Sequence, residues 1–252
     1  MTRSKVIRLA PAALIVLACL APPAAAAPLL ISPAGGTTLF TSADDAVVTR
    51  NLGFSGNFFG SPTSTVDVST NGNLNFSGDI SLTNQALPFG PARISPLWDD
   101  WFLSGLPGEA ITESVNAGVY YAVTYSNVET FNTGAQFTFQ AIWFGAATVL
   151  GDFSFLANDI AFLYAAIGDT LNDAASTAGL DAGDGARFAA LPGTSDGLVT
   201  AANKDSVLVT GPQFVLFRPT IFGATASAAA PWSSSTFTSA SAVLPRPSRR
   251  SS

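Results

Sequence analysis

The densest chemistry in the sequence is Trp98-Asp99-Asp100-Trp101, two adjacent carboxylates between two indoles. Such a set could stack a sugar, hydrolyse a glycosidic bond or hold a hard cation. A glycosidase needs two carboxyls flanking the scissile bond, about 5–9.5 Å apart. Neighbouring residues of a strand point to opposite faces, so Asp99 and Asp100 do not make that pair alone. A hydrolytic reading needs a distant partner such as Glu109, Glu113 or Glu129. The preferred reading is plainer: Trp98 sits in the core, and the carboxylates cap backbone N–H groups in the following turn or bind Ca²⁺. Two further acidic loops, Asp169 to Asp173 and Asp181-Ala182-Gly183-Asp184-Gly185, alternate carboxylates with small residues. Ca²⁺ takes six to eight oxygen ligands, which such loops can offer. The EF-hand spacing is missing, so plain turns are the competing account. The candidate Ca²⁺ ligands are Asp99, Asp100, Asp181 and Asp184; no catalytic or cofactor-binding residue is assigned. Ser69-Thr70-Asn71-Gly72 carries hydroxyls without a base, and these are expected to bond turn backbone.

Composition removes whole classes of function. The 252 residues include no His, which excludes Ser-His-Asp and Cys-His catalysis and His-ligated metals. One Cys excludes intramolecular disulfides and Cys-rich zinc sites. Charged residues are 11% and hydrophobic residues 48%. Between Pro28 and Pro245 only Arg50, Arg93, Arg187, Lys204 and Arg218 are basic, against 17 acidic residues. So acidic a surface repels nucleic acid and could recruit Ca²⁺ outside the cell.

The first 27 residues read as an export signal. Arg3, Lys5 and Arg8 precede an apolar run from Leu9 to Ala21, followed by Pro22-Pro23 and four alanines. The run is too short to span a bilayer comfortably, so cleavage near Ala26 or Ala27 is preferred to a membrane anchor. Val16-Leu17-Ala18-Cys19 offers a competing lipobox reading, with lipid on Cys19. Residues 28–223 are expected to form one domain and residues 224–252 an Ala/Ser/Pro/Arg-rich flexible tail.

The elements that must carry these sites read as strands. In Ala135 to Phe144, Phe137, Phe139, Ala141 and Trp143 share one face, and Gln136, Thr138 and Gln140 the other, predicting a half-buried strand. Val119–Tyr125, Val66–Ser69 and Phe153–Phe155 alternate similarly. Ile160–Ile167 and Phe214–Phe217 are continuous apolar runs suited to interior strands. Asn71-Gly72 predicts a two-residue hairpin turn. Asp169 to Ala178 fits a short helix or a loop. The Phe-rich faces (Phe54, Phe58, Phe59, Phe137, Phe139, Phe153, Phe155) are assigned to core. The expected class is all-β: an antiparallel, sandwich-like single domain with at most short helices.

The order of motifs resembles the nidogen-like (NIDO) domain. Val66-Asp67-Val68-Ser69-Thr70-Asn71-Gly72-Asn73-Leu74-Asn75-Phe76 is followed by Ile94-Ser95-Pro96-Leu97-Trp98-Asp99-Asp100, then Val119-Tyr120-Tyr121, Thr124-Tyr125-Ser126-Asn127-Val128 and Thr138-Phe139-Gln140. Tyr125 stands where that family usually has Trp, and Ser95 and Leu97 replace its common Ala and Phe. The resemblance implies a secreted or cell-surface module with a matrix or adhesion role, no catalytic residues to transfer, and a protein or glycan partner. Bacterial members often end in a Val-Pro-Glu-Pro (PEP-CTERM) sorting segment. Ala242 to Ser248 matches it only faintly and no apolar helix follows, so release is expected over anchoring. The rival function is a carbohydrate-active protein using the Trp98–Trp101 cluster, and the third is a self-assembling surface component.

Overall fold

The computed structural model describes residues 29–79, 81, 83–131, 133–172, 175–208, 213–219 and 232–238. The expected leader, Cys19 and most of the expected tail lie outside these residues. Among the described residues no helix is long and apolar enough to cross a membrane.

Two antiparallel sheets face each other. The larger runs in the order β1 (Thr37–Phe40), β7 (Ala110–Asn116), β8 (Tyr120–Thr130), β9 (Gln136–Phe144), β12 (Ile160–Ala166), β16 (Gln213–Pro219) and β17 (Trp232–Thr238), with β6 (Trp101–Phe102) also on β8. The smaller runs β14 (Phe188–Ala190), β13 (Ala175–Asp181), β5 (Arg93–Trp98), β4 (Leu74–Asn75), β3 (Ser61–Ser69) and β2 (Val47–Phe58), with β15 (Leu198–Thr200) also on β13. β10 (Thr148–Leu150) and β11 (Phe153–Phe155) form a separate hairpin, and α1 (Lys204–Val207) is a single turn. The all-β sandwich expected from the alternating sequence is what the chain forms. The two continuous apolar runs are interior strands, β12 between β9 and β16, and β16 between β12 and β17.

Alternation supplies the inter-sheet core. Phe137, Phe139, Ala141 and Trp143 of β9 meet Tyr121, Val123 and Tyr125 of β8, and Val66, Val68, Leu74 and Ile94 of the smaller sheet. Gly56 of β2 lets Trp143 close against that sheet: a Cβ there would lie 2.5 Å from Trp143 Cζ2. Phe54, Phe58 and Phe76 contact the same indole, with ring centroids 5.9–6.2 Å away.

Three expectations need correction. The β3–β4 turn is not a two-residue loop. Ser69 N–H donates to Asn73 O, enclosing Thr70-Asn71-Gly72, and Gly72 takes φ 72°. A three-residue loop with glycine in the left-handed region is the next commonest hairpin connection. β9 is not half-buried along its length. Gln136 is exposed, but Gln140, Ile142 and Phe144 on its second face are buried, because the N-terminal segment and the β10–β11 hairpin cover that face. Phe153 and Phe155 belong to this second cluster, not to the inter-sheet core. Finally, within Asp169 to Ala178, residues 169–172 form no α-helix and residues 175–178 belong to strand β13. Within the stretch expected as tail, the backbone of residues 232–238 pairs in register with all of β16.

Gly56→Ala is expected to lower unfolding free energy by about 1–3 kcal/mol, the usual cost of overpacking a filled core. Urea denaturation followed by tryptophan fluorescence measures it.

Candidate functional site

Asp99 and Asp100 form the two-residue link that carries the chain from one sheet to the other. β5 of the smaller sheet ends at Trp98, and β6 of the larger begins at Trp101. The two indoles therefore part company. Trp101 enters the inter-sheet core, against Phe137 (4.9 Å) and Phe139 (5.6 Å), and donates its Nε1–H to Leu97 O. Trp98 is buried outside that cluster, beneath Ser81 and Arg93. Its Nε1–H donates to Ser81 O, and the Arg93 guanidinium lies 3.9 Å from its ring centroid. Neither indole is an open sugar platform.

The two carboxylates differ in their surroundings. Asp99 is 1% exposed. Its Oδ2 accepts from Ser176 Oγ (2.6 Å) and Asn172 N–H (3.3 Å), and its Oδ1 from Asp100 N–H (2.9 Å) and Asn84 Nδ2 (3.4 Å). Its own N–H donates to Asn71 O. Burial pushes its pKa up to about 7, while the Ser176, Asp100 and Asn172 hydrogen bonds work against the rise. Asp99 thus joins four separate segments of chain. Asp100 lies beside Asp44 and Asp45, and its Oδ2 also accepts from Asn172 Nδ2 (3.4 Å), so Asn172 bonds both neighbouring carboxylates. One carboxylate oxygen from each of Asp44, Asp45 and Asp100 lies within 4.8 Å of the others. Asp45 takes φ 47° and accepts from Asn71 Nδ2 (2.8 Å). Burial and the neighbouring Asp45 charge raise the pKa of Asp44.

The turn motif and the acidic motif meet at this corner. Gly72 packs so tightly that a Cβ would run into the Leu97 carbonyl and lie 2.5 Å from Trp101 Nε1. Ser69 Oγ accepts from Asn71 N–H, bonding turn backbone as expected, whereas Thr70 donates its N–H to Ala46 O and accepts from Ala46 N–H at Oγ1, bonding backbone ahead of β2. A shallow polar recess of about 540 Å³, lined by Thr133, Gln136, Asp169 and Thr170 among others, adjoins the corner along the chain. Phe131, just before it, donates its N–H to Asp100 O.

The four expected Ca²⁺ ligands are not brought together. Trp98 pairs with Thr177 and Arg93 with Asp181, so Asp99–Asp100 and Asp181–Asp184 lie at opposite ends of the β5–β13 pair. Five extended residues separate those ends, about 16 Å. Asp181 is buried and accepts from Phe89 N–H (2.5 Å) and Gly183 N–H (2.8 Å); burial is the main cause of its raised pKa. Asp184 is held down to about 2, first by the Arg187 backbone N–H and then by its guanidinium. Both close turns. The distant glutamates have partners of their own. Glu109 accepts from Ser104 Oγ and from Gly105 and Leu106 N–H; Glu113 bonds Arg50 and Tyr121; Glu129 accepts from Gln136 Nε2.

A family model described as NIDO related matches residues 27–219. The chain belongs to the NIDO-related family. Neither a curated protein nor a solved structure matches it. NIDO-type domains are generally extracellular and of the binding type. In this NIDO-related chain, among the described residues, the carboxylates grouped closely enough to hold a hard cation are Asp44, Asp45 and Asp100, an all-oxygen set that fits Ca²⁺ chemistry and needs water or a ligand to complete it. Sequence reasoning missed Asp44 and Asp45. The signal was an acidic doublet in the loop before β2, but nothing local links it to Asp100. Asn84, Asn172 and Ser176 carry no local signal either; Ser176 is 77 residues from Asp99.

The raised Asp99 pKa has a definite sign. Between pH about 4 and about 7 the unfolded chain has shed a proton that folded Asp99 keeps, so this group costs stability as pH rises through that window. In EDTA, Asp99→Asn is expected to gain on the wild type by up to about 4 kcal/mol from pH 4 to pH 7, with no further change above. Urea titrations of both proteins across that range check it.

Proposed function

We propose that this chain is a secreted, non-catalytic binding protein of an extracellular matrix or cell surface. Its working part is the corner where exposed Asp44 and Asp45 meet buried Asp100, with the recess near it. The observation that carries the reading is the split between neighbours: Asp99 is spent inside, holding four segments together, while Asp100 joins two exposed carboxylates. A corner fixed from within and acidic without suits a rigid contact surface ordered by Ca²⁺. Family membership and the acidic balance of the chain support the same reading.

The second reading is glycan recognition at the same corner. Phe131, 37% exposed, lies beside Asp100 and the polar recess, and offers a ring on which a sugar could stack. Screens on polysaccharides separate binding from turnover: retained glycan without hydrolysis supports a lectin-like role, and turnover abolished by Asp100→Asn in a folded protein supports an enzyme.

Binding to matrix or envelope fractions is expected in Ca²⁺, with loss in EDTA and in Asp45→Asn or Asp100→Asn. Asp184→Asn, at the other end of the sheet, is expected to bind as the wild type does. Pull-downs across the four proteins test this, and absence of binding in every condition contradicts it.

A further inference from the structure

The outer face of the larger sheet is apolar. Ile142 and Phe144 of β9, Ala161 and Leu163 of β12, and Phe214 and Leu216 of β16 are buried there in a second cluster. The β10–β11 hairpin covers part of it, stacking Phe155 on Phe144 with ring centroids 4.1 Å apart. Residues 29–33 cover another part as a strap, seating Leu30 and Ile31 in the cluster.

A polar row crosses this apolar face beneath the strap. Strand register sets Thr112 of β7, Thr124 of β8 and Gln140 of β9 side by side. Gln140 is fully buried. Its carboxamide accepts from Ile31 N–H (3.2 Å) and donates to Ile31 O (2.7 Å) and Thr124 Oγ1 (2.7 Å). Thr112 Oγ1, next in the row, is buried without a hydrogen-bond partner. The two-point bond to Ile31 is what a neighbouring strand would supply, made by a side chain. It reads main chain plus an apolar side chain, so any extended segment with this pattern satisfies it. Uncovered, the row would open the apolar cluster around it to water, so a segment that covers it is favoured.

The strap is lightly tethered. Pro33-Ala34-Gly35-Gly36 connects it to β1; Ala34 and Gly35 are exposed, and Gly35 takes φ 85° with open space around it. Among the described residues, its contacts with the sheet are Leu30 and Ile31 in the apolar cluster and the Gln140 carboxamide. Exchange of such a segment between identical chains conserves every contact and leaves only association entropy and hinge geometry to decide the outcome.

We infer that the Thr112–Thr124–Gln140 row is a docking site for an extended apolar peptide, and that its partner in trans is residues 29–33 of a second copy of this chain. The surface is distinct from the Asp100 corner and does not depend on Ca²⁺.

The test uses the full chain and a fluorescent peptide of residues 28–34. A Leu30→Asp, Ile31→Asp chain, whose own strap cannot seat, is expected to bind the peptide saturably by anisotropy, with or without EDTA. Wild type, its site filled, binds it more weakly. Adding Gln140→Ala to the strap variant weakens binding about tenfold or more, as loss of two hydrogen bonds implies. No saturable binding by a folded strap variant, or binding indifferent to Gln140→Ala, overturns the proposal. If the strap variant does not fold, wild type decides. Two pools with different fluorophores at the C-terminus are expected to develop energy transfer on mixing, which excess peptide abolishes. No energy transfer, or transfer that the peptide leaves intact, overturns it.

Discussion

A carboxylate that cannot reach water governs this fold. Asp99 sits where the chain leaves one sheet for the other, and its oxygens gather donors from Asn84, Asp100, Asn172 and Ser176. An interior carboxyl is tolerated only when its lone pairs are met. Each donor must therefore hold its segment in place. The β3–β4 turn is drawn in too, because Asn71 O accepts the Asp99 N–H and Gly72 lies against Trp101. The acidic corner is tied to this arrangement inside: Asn172 donates its N–H to Asp99 and its Nδ2 to Asp100, so both carboxylates are fixed by one residue.

Both sheets bury more than one face, and each uses a different cover. The smaller sheet hides Arg93 and Trp98 beneath Asp79, Ser81 and Pro91, with Asp79 pairing with the guanidinium at 2.8 Å. The larger sheet hides its outer apolar cluster under a hairpin and a strap. Polar groups placed beneath these covers, Arg93 in one and Gln140 in the other, are bonded to the backbone or side chains of the covering segment. Apolar area supplies the bulk of such packing and the polar bond fixes its register, since an unmet polar group penalises every other position. Ion pairs brace the edges: Arg50 of β2 reaches Glu113 of β7 across the sandwich, and Arg218 of β16 meets buried Asp159.

Strand identity was legible because period-2 alternation is a local property. Phe137 to Trp143 declared their shared face, and the continuous runs at 160–167 and 214–217 declared interior strands. Within the Trp98–Trp101 cluster, Trp98 was rightly assigned to the interior. What failed was whatever depended on segments far apart in sequence. Gln140 reads as solvent-facing until a segment 109 residues earlier lies over it. Asp99–Asp100 and Asp181–Asp184 look alike as acidic loops, yet antiparallel pairing sends them to opposite ends. Asp44 and Asp45 look like loop solubility and turn out to be the neighbours of Asp100. Local rules predict facing; they do not predict cover.

The account rests on Asp99 being an interior, multiply bonded carboxyl. Carbon-13 NMR of the Asp99 carboxyl carbon, followed through a pH titration of the folded protein, observes that group directly. A midpoint near 7, well apart from the exposed aspartates, is the predicted result. A midpoint in the ordinary range of an aspartate, together with rapid exchange of the Asp100 and Asn172 amide protons that donate to this carboxyl, would place it in water and contradict the crossover described above.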